Sequence, residues 1–227
     1  MRWIYLVNWS DGVVMLSSCQ MTQRWHFALH LALTTMVLCG CGPKPVSTIL
    51  HPDAAVVRIR GAAHDRSPAT EGRGFIVSSD GFVVTCAQIV NGNRAVSVVM
   101  PDGRDATADL VLEDQTAGIA ILKVSGKDLP ALRLRDDEIN PGLHVRVVGE
   151  GGITHGVFDH WENFGREIDF TARVGPNDCG SPLLADDGRV VGVVLGHFED
   201  RPSASRAAPA WHISRMMPNL DAPSLVP

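Results

Sequence analysis

Residues 175–184 read GPNDCGSPLL. Glycines at 175 and 180 bracket a short turn, and the apolar run that follows reads as a strand entering a core. Such a turn presents one side chain at its apex, here Cys179. A thiol in that position is a candidate nucleophile. It then needs a base within hydrogen-bond reach, a group that orients the base, and N–H donors for the developing oxyanion.

Outward from this turn, the chain from Ala54 onward consists of short β-rich runs broken by turn signals. The runs are AVVRI, GFIVS, FVVTC, AVSVVM, ADLVLE, IAILKV, HVRVVG, EIDFTA and RVVGVVLG. Between them lie SSDG, NGN, PDGR, NPG and ADDGR, whose Asp-Gly and Asn-Gly pairs close hairpins. About a dozen short strands without a long helical period predict antiparallel barrels or a sandwich. Only HISRMMPNL, 212–220, predicts a short helix, and residues 221–227 predict a frayed tail.

The N-terminal stretch has a different character. From Met21 it reads MTQRWHFALHLALTTMVLCGCGPKP, with Arg24 as a cationic region and a nearly continuous apolar run from Phe27 to Leu38. About a dozen apolar residues suit a secretory signal, whereas a bilayer span needs roughly 20. Leu38, Gly40 and Cys41 resemble a bacterial lipobox, which implies cleavage before Cys41 and acylation of its sulfur. Cys39 is a rival that would put bulky Leu38 next to the cut. The start of translation is open between Met1 and Met21. The expected organisation is a leader over 1–40, a lipidated tether over 41–53, a folded domain over 54–220 and the tail. Within the folded part only Cys86 and Cys179 remain.

Apolar residues make up 45% and charged residues 20% of the 227-residue chain, an ordinary globular balance. Beyond residue 40 there are 18 basic and 24 acidic side chains. A mildly acidic body without a basic run argues against a nucleic-acid partner. HGVFDH supplies His155, Asp159 and His160 without the spacing of a known metal site. No metal and no cofactor is expected.

Four stretches together resemble the trypsin-like serine peptidases, most closely the bacterial HtrA branch. GRGFIVSSDGFVVTCAQIV (72–90) resembles the segment that delivers the catalytic His. DQTAGIAILKV (114–124) resembles the segment bearing the catalytic Asp. NPGLHVRVVGE (140–150) resembles the strand opening the second barrel. TARVGPNDCGSPLLADDGRVVGVVLG (171–196) resembles the nucleophile loop and the substrate-binding strand. The resemblance covers about 54–215 and implies an all-β fold: two six-stranded antiparallel β-barrels with the active site in the cleft between them. The chain ends too early for the PDZ domain that often follows in this branch.

The catalytic positions depart from that pattern. Cys179 stands at the nucleophile position, Gln88 at the His position and Gly118 at the Asp position. A carboxamide does not accept a proton near neutral pH, so Gln88 cannot be a general base. Asn177 stands where the resemblance implies Gly, so the oxyanion hole expected from the backbone of Asn177 and Cys179 is altered. Asn tolerates the left-handed geometry often needed there. Arg173, six positions before Cys179, falls at the floor of the main specificity pocket, where it either favours acidic side chains or fills the pocket. Leu195, Gly196 and His197 are expected along the strand that pairs with an extended peptide.

The preferred expectation is a lipid-anchored pseudopeptidase of the cell envelope that binds peptide or protein segments and does not cut them. A second is an active peptidase using Cys179 with a base from an unusual position. A third is a non-catalytic envelope scaffold in which Cys86 and Cys179 form a disulfide. For Cys86 the preferred role is a small buried hydrophobe, not a bridge partner.

Overall fold

A computed structural model describes residues 51–61, 70–90, 95–197 and 204–217. The expected leader, Cys41 and its acylation, most of the tether, and the C-terminal tail lie outside these residues. Residues 52–55, at the end of the expected tether, form a 3₁₀ turn that leads into the first strand.

The described residues form two closed antiparallel barrels of six strands each. Barrel 1 contains β1 (Val56–Gly61), β2 (Thr70–Ile76), β3 (Phe82–Cys86), β4 (Ala95–Val99), β5 (Asp105–Asp114) and β6 (Ile119–Val124), in the spatial order β1-β2-β3-β6-β5-β4. Barrel 2 contains β7 (His144–Gly149), β8 (Gly152–Glu162), β9 (Glu167–Phe170), β10 (Pro182–Ala185), β11 (Val190–His197) and β12 (Ser205–Pro209), in the order β10-β11-β12-β9-β8-β7. A short helix α1 (Ala87–Val90) follows β3, and α2 (Ala210–Met216) follows β12. The all-β double barrel expected from the resemblance is therefore present. Among the described residues no helix is long and apolar enough to cross a membrane.

The hydrophobic pattern of each strand reports its surroundings. On β1, buried Val57 and Ile59 alternate with exposed Arg58 and Arg60, as one-sided burial demands. On β3, β6 and β10 nearly every residue is buried, as are the first five of β11, Val190–Val194. These strands have a barrel interior on one face and the junction between barrels on the other. Continuous runs such as FVVTC, IAILKV and VVGVVL therefore belong to the walls next to the cleft.

Three apolar clusters result. One fills barrel 1 around Ile59, Ile76, Cys86 and Leu122. Another fills barrel 2 around Phe158, Ile168, Phe170 and Leu183. The third joins Phe75, Val84 and Ile119 of barrel 1 to Leu184, Val190 and Val193 of barrel 2, with Ile213 of α2 beneath. The connection between barrels is stitched to both: Leu132 N–H donates to Ile76 O, and Arg135 N–H donates to Val190 O, each at 2.8 Å. This packing sets the distance between the two halves of the site.

Candidate functional site

The three positions expected to carry catalysis do converge. Ala87 N–H donates to Gly118 O at 2.9 Å, which places Gly118 beside the turn from β3 into α1. Arg73 N–H donates to Cys179 O at 2.8 Å, which seats the nucleophile loop of barrel 2 on β2 of barrel 1. Gln88 lies on α1, and its side chain is exposed. These backbone contacts bring the three stretches together at the junction of the barrels.

Cys179 is bonded to Cys86, with their Cα atoms 6.1 Å apart and 93 residues between them in sequence. This corrects the expectation that Cys86 is an unpaired buried hydrophobe. It is buried, but β3 ends where its Sγ meets the nucleophile loop. In this oxidised state Cys179 has no thiolate with which to attack.

Gly118 has φ +72, a region costing other residues about 1–2 kcal/mol. A Cβ built there would lie 3.1 Å from Leu195 Cδ2 and 3.5 Å from Leu195 Cδ1. Leu195 comes to face it through a β-bulge. The pairing of β11 with β12 shifts between Val194 and Gly196, leaving Leu195 as the extra residue. Its side chain packs against both the barrel 1 and the inter-barrel clusters, and its carbonyl oxygen lies 3.6 Å from Cys179 Sγ. The space beside Gly118, the position expected for the Asp, is filled with hydrocarbon.

Asp114 accepts the backbone N–H groups of Thr116 and Ala117 at 2.9 and 3.0 Å, a local turn that leads into Gly118. Among the described residues no histidine nitrogen hydrogen-bonds to Cys179, whose Sγ is bonded to Cys86 and lies near the Leu195 carbonyl. His197 is exposed at the end of β11, and His144 and His155 are exposed on β7 and β8. His160 instead contacts Glu162 and Asp159, each at 3.0 Å, and these hydrogen bonds raise its pKa above the usual histidine value. His212 on α2 is shifted down, chiefly by burial.

The loop around Cys179 is held by a contact that the sequence does not advertise. Asp178 is buried, 7% exposed. Its carboxylate accepts the N–H of Glu150 at 2.7 Å and of Gly175 at 2.6 Å, and stands 3.9 Å from Arg73 Nε of barrel 1. A Cβ on Gly149 would approach Asp178 Oδ1 to 2.6 Å, so that glycine makes room for the carboxylate. Next in the loop, Gly180 has φ +84, and a Cβ there would collide with the Arg73 carbonyl. Replacing Asp178 by Ala strands two N–H donors and a cation in a buried place, at an expected cost of about 3 kcal/mol. Asp178→Asn keeps an acceptor oxygen and is expected to lose less, as read from urea unfolding midpoints.

The remaining expected site residues take these places. Asn177 lies in the 3₁₀ turn Pro176–Asp178. It is not among the residues with positive φ, so the left-handed geometry expected there is not adopted. Its side-chain amide donates to Glu150 Oε2 at 2.9 Å. Arg173 is exposed in the loop after β9, and its carbonyl accepts from Thr154 Oγ1 at 2.8 Å. Pairing of β11 with β10 covers Val190–Val193, while Val194 exchanges hydrogen bonds with Gly180 and Ser181. Leu195, Gly196 and His197 extend beyond this ladder. A Cβ on Gly196 would have no atom within 4 Å.

Comparison with known proteins gives a consistent picture. Residues 72–193 match the family model described as "Trypsin-like peptidase domain". The chain is 32% identical over 145 residues to a "Probable periplasmic serine endoprotease DegP-like" of Halomonas elongata, covering 57% of this chain and 30% of that protein. It is 33% identical over 143 residues to "Serine protease HTRA1" of Xenopus laevis, covering 56% and 31% respectively. The matched region thus spans about a third of the length of these curated relatives. In three dimensions the chain is similar to the serine endoprotease from Yersinia pestis, with a TM-score of 0.65 and 23% identity. That likeness covers 74% of this chain and 63% of the other.

Proposed function

This chain belongs to the trypsin-like peptidase domain family, and from that premise we propose that it is a pseudopeptidase that holds extended peptide or protein segments without cutting them. The observation that carries this reading is the Cys86–Cys179 bridge, which withdraws the nucleophile. Gln88 and Gly118 supply neither base nor orienting carboxylate, and fold membership does not by itself confer activity.

The binding half of the reading rests on β11. Residues 195–197 continue past the β10 ladder, and an unpaired strand edge accepts a peptide as an added strand. Exposed Arg173 offers a cation for an acidic side chain of such a segment. Similarity to a probable periplasmic endoprotease, together with the lipobox-like Leu38-Cys39-Gly40-Cys41, supports a cell-envelope location with an acyl anchor on Cys41. In this reading 1–40 is a leader, 41–53 a tether, 54–220 the functional domain and 221–227 a tail.

The test uses a permanently unfolded, carboxymethylated protein as ligand. Backbone amide exchange at residues 195–197 is expected to slow when it is added, and mass spectrometry is expected to find the ligand intact after prolonged incubation. Cleavage that disappears with Cys179→Ala would instead make this an active peptidase. Unchanged exchange at 195–197 would remove the strand-addition mode.

A further inference from the structure

We propose that the Cys86–Cys179 bridge is a thiol–disulfide exchange centre in which Cys179 is the sulfur that exchanges, and that its partner is a thiolate entering from the cleft. The two sulfurs are unequally placed. Cys86 is 0% exposed and packed within the barrel 1 cluster, whereas Cys179 is only partly buried. A thiolate must reach the sulfur it attacks, and exchange depends on that access. Attack on Cys86 would have to pass through the hydrocarbon around Ile59, Ile76 and Leu122. Cys179, although it also packs against that cluster, keeps part of its surface open on the side of the loop, next to exposed Pro176 and half-buried Asn177.

In the first step the incoming thiolate forms a bond to Cys179 Sγ. The Cys86–Cys179 bond breaks, and its electron pair leaves on Cys86 Sγ, which takes up a proton. The incoming sulfur is oxidised and Cys86 is reduced, so the number of disulfides is unchanged. In the reverse step, the Cys86 thiolate attacks Cys179 Sγ and expels the bound thiol. A second thiol that attacks the mixed disulfide at the incoming sulfur leaves Cys179 as a free thiol. Its S–H then has the Leu195 carbonyl, 3.6 Å away, as acceptor.

The leaving sulfur of Cys86 sits among apolar side chains, where a departing thiolate is poorly solvated. Dilute thiols therefore exchange slowly. A thiol held against the loop gains from effective concentration. The thiolate has two sources with the same chemistry, a low-molecular-weight thiol or a cysteine on a segment lying along β11. The inference rests on the bridge and not on peptide binding.

The oxidised full-length protein is incubated with reduced glutathione at pH 8, quenched with acid, alkylated and digested with trypsin. Cys86 falls in fragment 74–94 and Cys179 in fragment 174–189, so their masses distinguish the two sulfurs. The expected result is glutathione on 174–189 and an alkylated thiol on 74–94, in at least about tenfold excess over the reverse arrangement, because buried cysteines are inert. Equal labelling, preferential labelling of 74–94, or no exchange in the folded protein overturns the assignment. A parallel arm uses an unstructured peptide with one cysteine at the same thiol concentration. Faster exchange with the peptide identifies the cleft-bound segment as the source, and equal rates identify the small thiol; both require the adduct on Cys179. Two free thiols before any thiol is added would remove the bridge itself, an outcome separate from any result on ligand cleavage.

Discussion

Placing a triad at the three positions of the proposed site, Gln88→His, Gly118→Asp and Cys179→Ser, is expected to leave peptidase activity within about tenfold of the unsubstituted protein, far short of the roughly 10⁴–10⁶ in turnover that a working triad contributes. Two features oppose recovery. Position 118 has φ +72, a conformation that disfavours side chains, aspartate less than most. The carboxylate would also extend from a Cβ only 3.1 Å from the Leu195 side chain, and an ionised group pressed against hydrocarbon is poorly solvated. It would have to displace Leu195 before it could orient a histidine. Adding Leu195→Ala removes the obstruction, and the quadruple variant is expected to be the more active one. Hydrolysis of an unfolded protein substrate by the two variants, with matched circular dichroism to verify folding, checks this. A triple variant that already gains about 10³ or more would show that Leu195 yields freely.

Breaking the Cys86–Cys179 bridge is expected to give the largest change in stability. It closes a loop with a sequence separation of 93, for which the loss of unfolded-chain entropy corresponds to about 4–5 kcal/mol at 25 °C. For a folded body of this size that is a fall of about 10 °C or somewhat more in Tm. The bridge also joins the end of β3 to the nucleophile loop of the other barrel. Its loss is therefore expected to be felt across the inter-barrel junction, and not only near residue 179. Thermal unfolding with and without reductant, and of Cys86→Ala without it, measures the effect. Agreement between reduction and substitution assigns the loss to the bridge. A Tm unmoved by reductant would mean that the link contributes nothing to the folded state.

Much of the architecture is written locally. The runs FVVTC, IAILKV and HVRVVG each coincide with a strand, because apolar β-branched sequences between turn residues have few other ways to bury themselves. Two strands left almost no such mark. β8 has one fully buried residue in eleven, Phe158, and β12 reads SRAAP, which has little intrinsic β preference. Both are held by neighbours on each side in a closed barrel, and that support comes from the rest of the sheet. The expected helix near the C-terminus forms over Ala210–Met216, starting two residues before the predicted stretch, at the end of β12.

The sequence by itself determined the fold family, because it depends on short motifs in a fixed order, and it pointed to Gln88, Gly118 and Cys179 as the positions to inspect. Only the tertiary structure decided what surrounds them. Whether Cys86 and Cys179 pair depends on a Cα separation of 6.1 Å between residues on different barrels, and disulfide formation tolerates only a narrow range of such distances. The approach of Leu195 to Gly118 and of Asp178 to Arg73 likewise arises from the docking of one barrel on the other, and the Asp178–Glu150 contact from the packing of barrel 2. Residues remote in sequence acquire a shared geometry only when the core between them is packed, so these contacts leave no periodicity or spacing to read.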